Sequence, residues 1–278
     1  VQKKQIYLLS IAALLLIILL IFGKTIDPKK KVVASNMQQT QQVLDFDDLI
    51  SHAKEELTPS QKIVLNKIET RLNTGSIQDK IHNYKHLANF WKDTVALYEP
   101  YLFYTAEAAK LENSEKSLTF AAQQFTSSML DVADPSIQNW LATNAKVLFE
   151  KALALNPNSD SNKIGLGACY ILGNISDNPM QGILPVREIA TKNPNNLYAQ
   201  YILGLGGKKS GQLDKAIERF LIIVKSKPNH IESILHLAEC YEMKSDKINA
   251  KIWYLKASEL IPNEAIKKEI ANRINELK

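Results

Sequence analysis

Between residues 44 and 278 the apolar positions recur every three or four residues, and no segment alternates long enough to build a strand, so the chain reads as all-α. A first helix is predicted over 44–57, with Leu44, Leu49, Ile50, Ala53 and Leu57 on its apolar side. Thr58, Pro59, Ser60 and Gln61 then spell an N-cap, a proline at the first helical position and a glutamine placed to close a capping box. The helix they start carries Ile63, Leu65, Ile68 and Leu72 and should stop near Asn73, Thr74 and Gly75. A longer helix is expected from Ser76 to about Tyr98. At the far end Asn263 and Glu264 open a last helix in which Ile266, Ile270, Ile274 and Leu277 form one stripe. Lys267, Lys268, Glu269, Arg273 and Glu276 fall outside that stripe, as expected of a solvating cap over 265–278.

Over 197–262 one helix-pair pattern is written twice at a spacing of 34 residues. Each copy has a small residue deep in its first helix, Gly204 then Ala238. A second small residue, Ala216 then Ala250, starts the tight part of the second helix, and an aromatic follows one turn later, Phe220 then Tyr254. Each copy ends on a proline, Pro228 then Pro262, which lacks an N–H and keeps the preceding residue out of helix. Small side chains let antiparallel helices approach, and the aromatic fills the gap beside them. Upstream the pattern continues with insertions. Gly167, Tyr170 and Gly182 take the landmark places between Pro157 and Pro194, with extra residues in the turn Ser176, Asp177, Asn178, Pro179. Ala145, Phe149, Ala152 and Pro157 repeat the second-helix signature, after a first helix over 117–130 carrying Leu118, Ala121, Ala122 and Phe125.

These landmarks resemble the tetratricopeptide repeat, whose period is 34 residues. The resemblance implies a superhelical solenoid of helix hairpins over 115–159, 160–196, 197–230 and 231–264. Residues 44–114 are expected to be an N-terminal helical region with a degenerate pair around Trp91 and Tyr104, broken at Pro100.

Residues 6–22 carry another pattern, a run of 17 interrupted only by Tyr7 and Ser10. As a helix it would be about 25 Å long at about 1.5 Å per residue, slightly short of a hydrocarbon core of about 30 Å. Lysines directly after the run, where a cleavage site would want small residues, favour an uncleaved membrane anchor over 1–23 rather than a removed signal peptide. Residues 24–43, with their Gln/Thr run, read as a flexible linker. Lysines flank the run on both sides, so charge alone leans slightly towards a cytoplasmic domain. The layout nevertheless resembles bacterial single-span repeat proteins, a signal anchor in the inner membrane with the domain in the periplasm. That orientation is favoured, with cytoplasmic facing as the alternative.

Composition removes one class of function. The net charge of +5 is accounted for by six lysines against one aspartate in residues 1–31, and the rest of the chain holds 28 basic and 28 acidic side chains. The basicity therefore belongs to membrane flanks and no nucleic-acid surface is expected.

Motifs for chemistry are sparse. Cys169 and Cys240 occupy the same place in first helices two repeats apart, too far for a disulfide, and read as small buried hydrophobes. His82 and His86 have the i, i+4 spacing of metal ligands, but Asn83, Tyr84 and Lys85 between them supply no glutamate and no third ligand is evident. Gly204, Gly206, Gly207 and Gly211 precede no Gly-Lys-Ser/Thr, so packing and a turn explain them better than a phosphate loop. No catalytic residue, cofactor or metal is expected.

The resemblance implies that first helices line a concave groove, which would present Tyr198, Tyr201, Leu205, Lys208 and Lys209 from one repeat and Glu232, Leu235, Glu239 and Glu242 from the next. A solvated helix face is the plain alternative. Ile202 stands where chaperone-binding repeats place a groove asparagine, which speaks against a carboxylate clamp of that kind. Asn178, Pro179, Met180, Gln181, Gly182, Ile183 and Leu184 resemble a segment of bacterial membrane-anchored repeat proteins. The expectation is a non-enzymatic, membrane-tethered scaffold or assembly factor that holds a protein or peptide partner. The alternative is an enzyme or metal-binding protein using residues 44–114, with the repeats only presenting it.

Overall fold

The computed structural model describes residues 46–72 and 74–277. They form thirteen α-helices and no strand: α1 (Phe46–Glu55), α2 (Pro59–Leu72), α3 (Ile77–Asn89), α4 (Tyr98–Glu112), α5 (Glu115–Asp131), α6 (Pro135–Leu155), α7 (Asp160–Leu172), α8 (Met180–Lys192), α9 (Leu197–Lys209), α10 (Leu213–Ser226), α11 (Ile231–Met243), α12 (Lys247–Leu260) and α13 (Glu264–Glu276). Among the described residues no helix is long and apolar enough to cross a membrane. The apolar run at 6–22 and the linker at 24–43 lie outside the described residues.

Local chemistry sets the helix starts. Thr58 and Gln61 bond reciprocally, backbone to side chain, at 2.9 and 3.3 Å, so the capping box forms with Pro59 as the first helical residue. Ser76 and Asp79 make a second such box. Asp134, Ser159, Asn196, Asp246 and Asn263 each accept at least one backbone N–H from the first turn that follows.

The long helix expected from Ser76 to Tyr98 is interrupted. α3 passes into a π-helical turn, Phe90–Val95, which ends on Ala96 at φ 60°. Trp91 is wholly buried within that turn. The break thus precedes Pro100, which sits in the first turn of α4, where a missing N–H costs nothing.

From α3 onward consecutive helices pack as hairpins: α3 on α4, α5 on α6, α7 on α8, α9 on α10 and α11 on α12. Small residues sit where backbones cross. A Cβ built on Gly182 would fall 2.4 Å from the carbonyl oxygen of Gly167, so α7 and α8 touch backbone to backbone. A Cβ on Gly204 would lie 2.7 Å from the ring of Phe220, which fills the gap between α9 and α10 as its position in the pattern predicts. The core divides into two clusters, one running from Ile50 to Ile202 and one from Ala216 to Leu277. Tyr201 and Leu205 of α9 pack against both.

Candidate partner-binding groove

The first helices α5, α7 and α9 lie directly against one another, which leaves little space on their shared face. Beyond α9 the successive contacts are those of a second helix with the next first helix, α10 against α11 and α12 against α13, as α6 packs against α7 upstream. A cavity of about 880 Å³ opens there, lined from α9 by Lys208, from α11 by Leu235, Glu239, Glu242 and Met243, and from α13 by Ile266, Glu269 and Arg273 among others.

The nine groove residues named from the sequence separate into three groups. Lys208, Leu235, Glu239 and Glu242 line the cavity. Tyr198, Tyr201 and Leu205 pack into the core, and burial raises the pKa of Tyr198 and pushes that of Tyr201 up to about 12. Lys209 turns away from the cavity. Its Nζ donates to the carbonyl of Leu172 at 2.8 Å and to Asn174 Oδ1 at 2.7 Å, placing a cation at the C-terminal end of α7. Glu232 is exposed beside His230, 3.4 Å from its Nδ1.

The cavity's ionic groups are organised. Glu239 accepts from Lys208 and, at 2.8 Å, faces Nδ1 of His236. Burial opposes the charge of Glu239, but the hydrogen bonds from His236 and Lys208 outweigh it and hold the carboxyl at about 2. His236 is held in turn by Tyr201, its Nε2 lying 3.3 Å from the tyrosine hydroxyl, and by the ring of Phe220 at 5.3 Å. Glu242 accepts from the Tyr254 hydroxyl at 2.8 Å and pairs with Arg273 at 2.5 Å. Both lining cations are therefore engaged by the cavity's own glutamates, and Glu269 stands among them without an ion pair in the described residues. With four glutamates against one lysine and one arginine, the lining is acidic. Its apolar part is accessible: Met243 is 54% exposed and Ile266 43%.

Elsewhere the expected chemical candidates stay apart. His82 and His86 are exposed, their rings 4.7 Å apart, and among the described residues no three metal-ligating side chains gather. Cys169 and Cys240 are free and fully buried.

The turn after each first helix reveals the register. In one copy Gln212 donates its N–H to Gly207 O at 2.8 Å and Gly211 to Lys208 O at 3.1 Å, with Gly211 at φ 73°. Thirty-four residues on, Asp246 donates to Tyr241 O at 2.9 Å and Ser245 to Glu242 O at 2.7 Å, with Ser245 at φ 61°. The chain folds as a tetratricopeptide-like repeat protein.

No family model matches the chain. It is 32% identical over 130 residues to the human interferon-induced protein with tetratricopeptide repeats 2, a match spanning 44% of this chain and about a quarter (26%) of that protein. Among solved structures it is similar to MamA from Desulfovibrio magneticus RS-1, at 23% identity over 66% of this chain and 97% of that one, with a TM-score of 0.43. It is also similar to YrrB, described as a TPR protein with an unusual peptide-binding site, at 18% identity over 71% of this chain and 98% of that one, with a TM-score of 0.43.

The tetratricopeptide-like register also explains the groove residues that sequence reasoning missed. Adding 34 to Glu232, Leu235, Glu239 and Glu242 lands on Ile266, Glu269, Arg273 and Glu276, and all four line the cavity. The last helix thus acts as another first helix and forms a groove wall, where only a solvating cap was expected. The signal was present in the period, which the small and aromatic landmarks carry only as far as Pro262.

Proposed function

We propose that this chain is a membrane-tethered scaffold or assembly factor whose groove between α9, α11 and α13 holds a segment of a protein partner, basic on one side and apolar on the other. The observation that carries the reading is the acidic lining around exposed Met243 and Ile266: every cation in it is already paired, so the excess negative charge faces outward beside accessible apolar surface. An amphipathic basic helix meets both demands at once. The apolar run at 6–22 supports tethering, and its layout supports a periplasmic domain. Protease protection in intact spheroplasts tests that orientation: a protected domain would place it in the cytoplasm instead.

Charge reversal at Lys208 or Lys209 is a poor test of the groove, because the first lysine is bound to Glu239 and the second caps α7. Glu269 and Met243 are better targets, both exposed and Glu269 in no ion pair among the described residues. Fluorescence anisotropy with a labelled amphipathic peptide of net charge +4 should show saturable binding to the full chain that weakens with salt. Glu269→Lys combined with Met243→Asp should weaken it by about tenfold or more. Equal binding of the matched acidic peptide would refute the assignment of partner chemistry.

A further inference from the structure

A second cavity, of about 370 Å³, lies between the hairpins α7–α8 and α9–α10 and shares no lining residue with the groove. Three cations line it: Arg187 of α8 and Lys215 and Arg219 of α10. Unlike Lys208 and Arg273, none of them is paired with a carboxylate among the described residues. Lys215 Nζ donates to Gln212 Oε1 at 2.8 Å and Arg219 Nη1 to Gln200 Oε1 at 2.7 Å, both neutral acceptors, and among the described residues the Arg187 guanidinium makes no hydrogen bond or ion pair. One carboxylate, Glu218, also lines the cavity and forms no ion pair with any of the three, so the lining carries a net charge of +2. The neutral amides position the two side chains without consuming their charge.

One further feature points to an anion. Gln212 is the N-cap of α10 but makes no side-chain cap bond, so the first-turn N–H groups lack one, and Gln212 and Lys215 place this positive helix end at the cavity wall. The opposite wall is apolar, made by Ile171, Ile183 and Leu203. Gly206 keeps the space open there, since a Cβ on it would stand 2.6 Å from Ile171 Cγ2. The volume is at the lower end of the range of about 300–1,000 Å³ typical of small-molecule sites.

We infer that this cavity binds a small organic anion, its oxyanion head between Arg187, Lys215 and Arg219 and its short apolar body against Ile171, Ile183 and Leu203. Planar guanidinium groups suit bidentate contact with phosphate or carboxylate, the two head groups with this chemistry. The site does not depend on the groove, and a tetratricopeptide-like scaffold carrying it would respond to a metabolite as well as to a protein.

The test is calorimetric titration of the full chain with phenyl phosphate, benzoate and inorganic phosphate at ionic strength matched with sodium chloride. Saturable binding of at least one aromatic probe, tighter than inorganic phosphate, is expected, and the order of the two aromatic probes names the preferred head. Arg187→Gln removes a guanidinium that is unpaired among the described residues, so the variant should fold as the parent does and bind about tenfold more weakly or worse. Lys215→Gln should weaken binding in the same direction, whereas Lys251→Gln, on another helix, should leave it unchanged. Absence of saturable binding by all three probes, or equal affinity in the parent and Arg187→Gln, would overturn the assignment.

Discussion

Glycine positions in this fold are distinguished by what a methyl group would strike. At Gly182 the obstacle is the backbone carbonyl of Gly167, which belongs to a packed helix and cannot swing aside, whereas at Gly206 it is the Cγ2 methyl of Ile171, a side-chain atom on a branched Cβ. Alanine is intrinsically better than glycine in a helix by about 1 kcal/mol, so the sign of each substitution depends on whether the obstacle yields. Gly182→Ala should destabilise by about 1–3 kcal/mol, the usual cost of overpacking, and Gly206→Ala by clearly less, since one side chain rather than a backbone has to shift. Urea unfolding midpoints of the two variants check this, and similar losses at both would contradict it. The sequence marks Gly182 as a small-residue landmark, but which atom opposes it emerges only when the helices are assembled. The same holds for Tyr198 and Tyr201. A polar-tipped aromatic on a first helix has the same appearance in the sequence whether it faces the groove or the core, and here both pack into the core.

At the scale of elements the caps were legible because each is written in residues a few positions apart, and the 34-residue spacing because its landmarks recur at fixed offsets. Thr58 with Gln61, and Phe220 against Gly204, follow directly from local pattern. The π turn at Phe90–Val95 was not legible, since its residues continue an ordinary apolar periodicity and only the burial of Trp91 distinguishes it. Nor was the network joining α9 to α11, which needs Tyr201, Lys208, His236 and Glu239 to converge from two helices. That network makes a pH prediction. Glu239 titrates at about 2 in the folded chain against an ordinary value of 4.5. A depressed carboxylate pKa contributes stability that is present above about 4.5 and lost as pH falls from there through 2. Denaturant midpoints of the parent and Glu239→Gln should therefore differ above pH 4.5 and converge as pH falls towards 2. A constant difference would show that the carboxylate's charge is not what joins these helices.

For the whole described domain, the apolar core divides into two clusters within the fourth hairpin, between Ile202 of α9 and Ala216 of α10, with Tyr201 and Leu205 packing against both. Repeat proteins open in local cooperative units, and the smaller cluster, from Ala216 onward, should open first. Hydrogen exchange followed by mass spectrometry should show amides in α11–α13 opening at lower free energy than those in α5–α8. A single opening free energy throughout would contradict the division of the core into two units. A soft C-terminal half is also the half that carries the groove, so partner binding should raise its protection.

The central claim is that the acidic cavity between α9, α11 and α13 receives a protein segment. Site-specific photo-crosslinking in native membranes addresses it most directly, with the reactive side chain placed at Met243 in the cavity and, for comparison, at exposed Lys225 on α10. A discrete adduct to a protein from Met243, lost when Glu269→Lys is added and absent from Lys225, is the predicted result. Adducts from Lys225 with none from Met243 would contradict it.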